Sequence, residues 1–356
     1  MSSNTDRESY AWDKERRQSG LRPVLVIIVV LFLIVGAAIA VLFPPIEATH
    51  TGIPISRKVS QQVYPANVVS SIEQPAGERW LLPAGVARIG DLTFVVDSGN
   101  NRILKLDEEG RVLGILDRMS DGQLDLRQPM AIATDGTRLF VANSLAAEVL
   151  VLDASGLVEK AIALEGQPGD KAPRPIGIAA GPDGTIVVAD AENHRVLFLD
   201  SDGQVVNQMG KGLRADGRDG FNVPAAITID AAGYIYVVDT LNGRVVKLSP
   251  NGAFLAEFGR LADTAGSLAR PKGVAVDAAG RVLVSDGLQA AIEVFGPDGT
   301  YLGVIGRRDP GDVKAGSVFE APGALWLSGD RLTVIDGIAG LITLELSDPR
   351  TVSSPE

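Results

Sequence analysis

The sequence predicts an all-β protein, a six-bladed β-propeller preceded by one N-terminal transmembrane helix. Three observations carry that expectation. Of 356 residues, 40 are glycine and 20 are proline while only 4 are methionine, a composition of many short elements joined by tight turns. Prolines recur at Pro83, Pro129, Pro175, Pro224, Pro271 and Pro322, spaced by 46, 46, 49, 47 and 51 residues, each ahead of a short apolar run. A fixed period in this range marks a ring or stack of repeated units. The stretch 23–43, PVLVIIVVLFLIVGAAIAVLF, carries no charge over 21 residues. As a helix it reaches about 30 Å, the depth of a bilayer's hydrocarbon core.

Residues 1–22 are polar, and Lys14, Arg16, Arg17 and Arg22 stand just ahead of the apolar run. The thirteen residues after it carry only Glu47. The positive-inside rule therefore places 1–22 in the cytoplasm and everything after Phe43 outside, on a single-pass anchor in the cell membrane. The competing expectation is a cleaved leader, because Ala38-Ile39-Ala40 imitates a cleavage site. A leader's apolar core runs to about 7 to 15 residues, which favours the retained anchor. Pro44-Pro45 ends the helix, and 44–66 reads as an extracytoplasmic tether. With no cysteine in the chain, disulfides and thiolate metal sites are excluded.

Residues 67–348 hold the repeats, and 349–356 form a polar tail. Two positions after each marker proline stands Gly85, Ala131, Gly177, Ala226, Gly273 or Ala324. Only small residues occur there, as expected where innermost strands converge on a propeller axis. Fourteen or fifteen residues after each proline, a β-rich run closes on Asp97, Asn143, Asp190, Asp239, Asp286 or Asp336. A third run opens five residues later, at Arg102, Glu148, Arg195 and Arg244 in the first four repeats, and a turn such as Asp202-Gly203 leads to a fourth. Each repeat is thus one four-stranded antiparallel blade, starting near 83, 129, 175, 224, 271 and 322. The sixth repeat stops after three strands, and NVVSSIE at 67–73 supplies the fourth, closing the ring without an open edge.

The segment from Pro175 to Gly210 reads P-x-G-I, then PDG-T-I-V-V-A-D, then N-H-R-V, then D-S-D-G, with the tripeptide Asn193-His194-Arg195 at its centre. It resembles the NHL-repeat family of six-bladed propellers, in its membrane-anchored bacterial type. Weaker copies stand at Asn100-Asn101-Arg102 and Asn242-Gly243-Arg244. The resemblance implies the fold and leaves function open, since such propellers include binding modules, sensor domains and a few enzymes. The amidating and streptogramin-inactivating lyases of similar architecture rely on histidine. The propeller here has only His194, too few to rebuild a multi-histidine site, and no G-x-S-x-G or H-E-x-x-H motif is present.

The residues after the second strand recur in all six repeats, which identifies them as turn caps. The alternative is a Ca²⁺ site drawn from Asp97, Asn143, Asp190, Asp239 and Asp286, as in propeller lactonases, serving a hydrolase or lyase at the channel mouth. Arg102, Arg195 and Arg244 share one repeat position and are expected to pair with Asp97, Asp190 and Asp239. Strand order assigns the turns bearing Asp107, Asp135, Asp153, Asp183, Asp200, Asp230, Asp277 and Asp298 to an acidic face. The longer loops on the opposite face hold mixed charge, and ligand contact is expected there, at Arg127, Arg174, His194, Arg195, Arg270 and Lys272. A net charge of −11 and an outside location argue against nucleic acid. The expected role is a membrane-tethered binding, scaffold or sensor module for a protein, peptide or glycan, with no cofactor and no catalysis of its own.

Overall fold

The computed structural model describes residues 63–73, 79–117, 124–166, 168–181, 183–261, 266–306 and 318–347. The predicted span 23–43, both tails and most of the tether lie outside the described residues. Among those described, no helix is long and apolar enough to cross a membrane. Val59–Glu356 forms one compact unit.

The unit contains six four-stranded sheets, every neighbouring pair antiparallel, so the protein is an all-β six-bladed propeller. The innermost strands are Pro83–Ile89, Pro129–Thr134, Pro175–Ala180, Pro224–Ile229, Pro271–Val276 and Pro322–Ser328. In every blade the register shifts just after the marker proline. Proline has no N–H to give to a ladder, so it sits where pairing is already interrupted. In the sixth blade the outermost strand is Ala66–Ile72, from Ala66 opposite Leu346 to Ile72 opposite Leu341.

The small residue two places on has the expected steric cause. A Cβ on Gly177 would lie 2.1 Å from the carbonyl oxygen of Ala225 in the next blade, and one on Gly273 would lie 2.4 Å from that of Gly323. On Gly85 it would meet the Ile132 nitrogen at 3.0 Å. Side chains alternate along the second strands, so Phe94 packs toward the second blade and Val95 toward the sixth. The core is consequently six apolar layers between blades, arranged in a closed circle. No blade could bury both faces alone.

Candidate functional site

Each second strand ends on a fully buried Asp97, Asn143, Asp190, Asp239, Asp286 or Asp336. Its side-chain oxygen accepts the backbone N–H of a residue leading into its own blade's innermost strand. The donors are Leu81 at 2.6 Å, Arg127 at 2.6 Å, Arg174 at 2.9 Å, Asn222 at 2.7 Å, Arg270 at 2.8 Å and Glu320 at 2.8 Å. The turn after the second strand and the start of the innermost strand are thereby held at the same end of the ring. In blades 1, 3 and 4 the other carboxylate oxygen accepts from Asn100, Asn193 or Asn242, at 2.8, 2.8 and 2.7 Å. It also accepts from the Nε of Arg102, Arg195 or Arg244, at 2.8, 3.0 and 2.9 Å. The five groups named for a Ca²⁺ site therefore each serve their own blade's loop. Among the described residues no three His, Cys, Asp or Glu groups gather in a metal-holding cluster.

The six expected ligand residues do not converge. Arg195 is 2% exposed and turned inward, its Nη1 also on Asp170 Oδ2 at 2.7 Å. His194 takes a left-handed conformation, φ 49°, and its Nδ1 accepts the N–H of Val223 at 3.1 Å, joining blade 3 to blade 4. Asn101 does the same between blades 1 and 2, its Oδ1 accepting from Gln128 at 2.7 Å. Val223 is itself at φ 61°, a strain of about 1–3 kcal/mol for a β-branched residue, so the histidine holds the next blade's entry in place. Arg127 is exposed and paired with Asp125 at 2.6 Å. Arg174 is exposed near Glu192, whose carboxyl is held below its ordinary range by the hydrogen bond from Lys171 and then by the charges of Lys171 and Arg174.

Only Arg270 and Lys272 of the six meet, at a cavity of about 600 Å³ enclosed by the innermost strands. They are the only charged residues in its wall among the described residues. Ser98, Gln128 and Thr240 are its other polar side chains, and aliphatic groups such as Met130, Ile176 and Val274 form the rest. Burial pushes the Lys272 ammonium below its ordinary value, with the Arg270 charge adding to the effect against Asp336 and Asp286. At the same end of the ring, the turns after the second strands present Leu145, Leu241, Leu288 and Ile338, exposed by 64, 52, 71 and 62%, and the exposed Leu82 lines the cavity.

An NHL-repeat family model matches residues 173–197, the segment that contains Asn193, His194 and Arg195, within this ring of six alike blades. The chain carries an NHL repeat within a six-bladed propeller. The E3 ubiquitin-protein ligase TRIM56 of Mus musculus is 27% identical over 150 residues, which are 39% of this chain and 19% of that protein. The chain thus spans about a fifth of that relative's length. Virginiamycin B lyase from Staphylococcus aureus superposes with a TM-score of 0.56 at 12% identity, over 80% of this chain and 100% of the lyase. A gluconolactonase from Xanthomonas campestris gives 0.56 at 20% identity, over 82% of this chain and 99% of its own. At these identities the likeness is one of fold.

In this NHL propeller the three signature residues have separate structural tasks. Asparagine braces the buried aspartate, histidine couples one blade to the next, and arginine neutralises the carboxylate from below. The acidic face is likewise a product of turn chemistry, since Asp107, Asp153, Asp200, Asp230 and Asp277 each accept N–H groups of their own turn. The exposed aliphatic tips carry no polar signature within one repeat, and they stand out only when the six repeats are aligned at the second residue after the buried aspartate or asparagine, where Leu145, Leu241, Leu288 and Ile338 occur.

Proposed function

We propose that this NHL propeller is a membrane-tethered, extracytoplasmic binding module that takes a protein or peptide partner on its channel-mouth face and does no chemistry on it. The observation that carries this reading is the set of exposed aliphatic tips. A turn tip in solvent needs no leucine for packing, and blades 1 and 3 place Gly99 and Glu192 there instead. Four exposed aliphatic tips at one end of the ring, with the exposed Leu82 in the cavity wall, are apolar surface that a partner would cover. Fully covering one such side chain stabilises a complex by roughly 1.5–3 kcal/mol. Apolar contacts of this kind suit a protein or peptide better than a glycan. The tether reading is supported by the uncharged 21-residue run and the basic residues ahead of it.

The test is partner capture by the full chain and by a variant carrying Leu145→Ser, Leu241→Ser, Leu288→Ser and Ile338→Ser. These tips are exposed, so the variant keeps the thermal transition of the parent while its recovery of partners falls at least about tenfold. Equal capture of the same proteins by both would sink the proposal.

A further inference from the structure

The residue after each marker proline lines the channel, and the six repeats place Ala84, Met130, Ile176, Ala225, Lys272 and Gly323 there. Five are apolar or lack a side chain. The position therefore asks nothing polar of the fold, and the lysine in blade 5 is not there to build the blade. A second departure accompanies it. The residue after the closing aspartate or asparagine is Ser98, Ser144, Ala191 and Thr240 in the first four blades but Gly287 in the fifth and Gly337 in the sixth. A Cβ at Gly287 would lie 2.6 Å from Cε and 2.9 Å from Nζ of Lys272. That glycine is the space in which the lysine lies. Beyond it, Gly323 and Gly337 keep the blade-6 side of the mouth open.

Arg270 stands beside this lysine, and neither cation has an ion-pair partner among the described residues. The neighbouring carboxylates are already engaged. Asp286 accepts the N–H groups of Arg270, Leu288 and Gln289, and Asp336 those of Glu320, Ala321, Ile338 and Ala339. Both are fully buried behind the wall. Burial first and then the Arg270 charge depress the Lys272 ammonium, while Asp336 and Asp286 oppose the shift.

We infer that Lys272 and Arg270 form a carboxylate subsite at the mouth of an apolar channel, so that the group entering it is an apolar chain ending in a carboxylate. The inference rests on the mouth-face binding proposed above and gives that binding its chemistry. A forked guanidinium and a point-charge ammonium suit one carboxylate, and the aliphatic wall of a cavity of about 600 Å³ suits the chain behind it. A partner's C-terminus and a free small acid both present this chemistry.

Isothermal titration of the full chain, purified in non-ionic detergent, with N-acetyl-trileucine, its C-terminal amide and hexanoate tests the inference. The acid peptide or hexanoate binds, and where the peptide binds it exceeds its amide by about tenfold, the order set by one charge-assisted hydrogen bond. Binding of the peptide without hexanoate assigns a C-terminus, and the reverse assigns a small acid. Lys272→Met removes the preference for the acid. Gly287→Ala keeps the lysine but displaces its ammonium, weakening the acid several-fold, and it decides the matter if the lysine variant does not fold. Equal affinity for acid and amide, an acid preference that survives both substitutions, or no binding of any probe overturns the subsite. Such a failure leaves the mouth-face reading standing if partner capture still depends on the leucine tips. Loss of that dependence removes both.

Discussion

Blade 2 departs from its neighbours in a way that fixes a measurable energy. Asn143 replaces the usual aspartate, and Glu148 stands where blades 1, 3 and 4 have arginine. The polarity of the pair is reversed, because Asn143 Nδ2 donates to Glu148 Oε1 at 2.7 Å and to the Asp125 carbonyl at 2.9 Å. Asn143→Asp turns that donor into a third acceptor at a fully buried position. The bond to the neutral carbonyl is worth about 1 kcal/mol and the one to the carboxylate about 1.5–3 kcal/mol. Together the loss is about 3 kcal/mol, before any like-charge repulsion. With a urea slope of roughly 3 kcal/mol/M for a domain of this size, the unfolding midpoint falls by about 1 M. Urea titration followed by tryptophan fluorescence reads the shift. Adding Glu148→Arg rebuilds the arginine–aspartate pair of the other blades and recovers at least half of the loss, a coupling that a double-mutant cycle isolates. A midpoint within about 0.2 M of the parent for Asn143→Asp, or no recovery on adding the arginine, refutes the reasoning.

His194→Ala removes the acceptor for the Val223 N–H and costs about 1–2 kcal/mol, whereas His194→Asn retains most of the stability because Asn101 already performs that task between blades 1 and 2. Equal loss from both substitutions, measured in the same urea titration, would show that the inter-blade bond carries no weight. Acid sensitivity follows from the turn aspartates. Burial alone would raise the Asp135 carboxyl, but the N–H groups of Arg138 and Thr137 and the side chains of both hold it down to about 2. The Ser155 hydroxyl lowers Asp153, and the Thr185 and Thr300 N–H groups lower Asp183 and Asp298. Folded values below the unfolded ones mean that their stabilisation is complete above about pH 4 and is lost as pH falls toward 2. Melting temperatures therefore drop across that window, and Asp135→Ala makes the decline shallower. Parallel slopes for parent and variant would count against the assignment.

Much of the architecture was legible in the chain because its signals are local and repeated. A proline that cannot join a ladder, a small residue two places on and a capping aspartate recur six times, and any one repeat corrects the reading of another. The Asp–Arg pairs were legible for the same reason. Their burial was not. Arg102 and Arg195 occupy one repeat position, yet their side chains are 15% and 2% exposed. Arg195 is also held by Asp170, from the loop ahead of its own blade. Loop reach of that kind has no period to read.

The same division runs through the candidate site. Six ligand residues followed from loop position and charge, and the ring brings two of them together. His194 carried the family signature and proved to be a strut, since its direction depends on how the next blade docks. In the sequence Lys272 is one cation among several on a mixed face, and only the arrangement of the innermost strands around their axis sets it in the channel wall.

By itself the sequence determined the repeat, the blade count, the family and the expectation of a membrane anchor, because hydropathy, turn chemistry and period act over a few residues and add along the chain. Only the tertiary structure decided which polar groups are spent within a blade and which face the channel. Those facts depend on how the strands and turns dock in space, such as the turn glycine, Gly287, that makes room for Lys272 of the innermost strand, and the exposed Leu145, Leu241, Leu288 and Ile338 that four separate blades bring to one end of the ring.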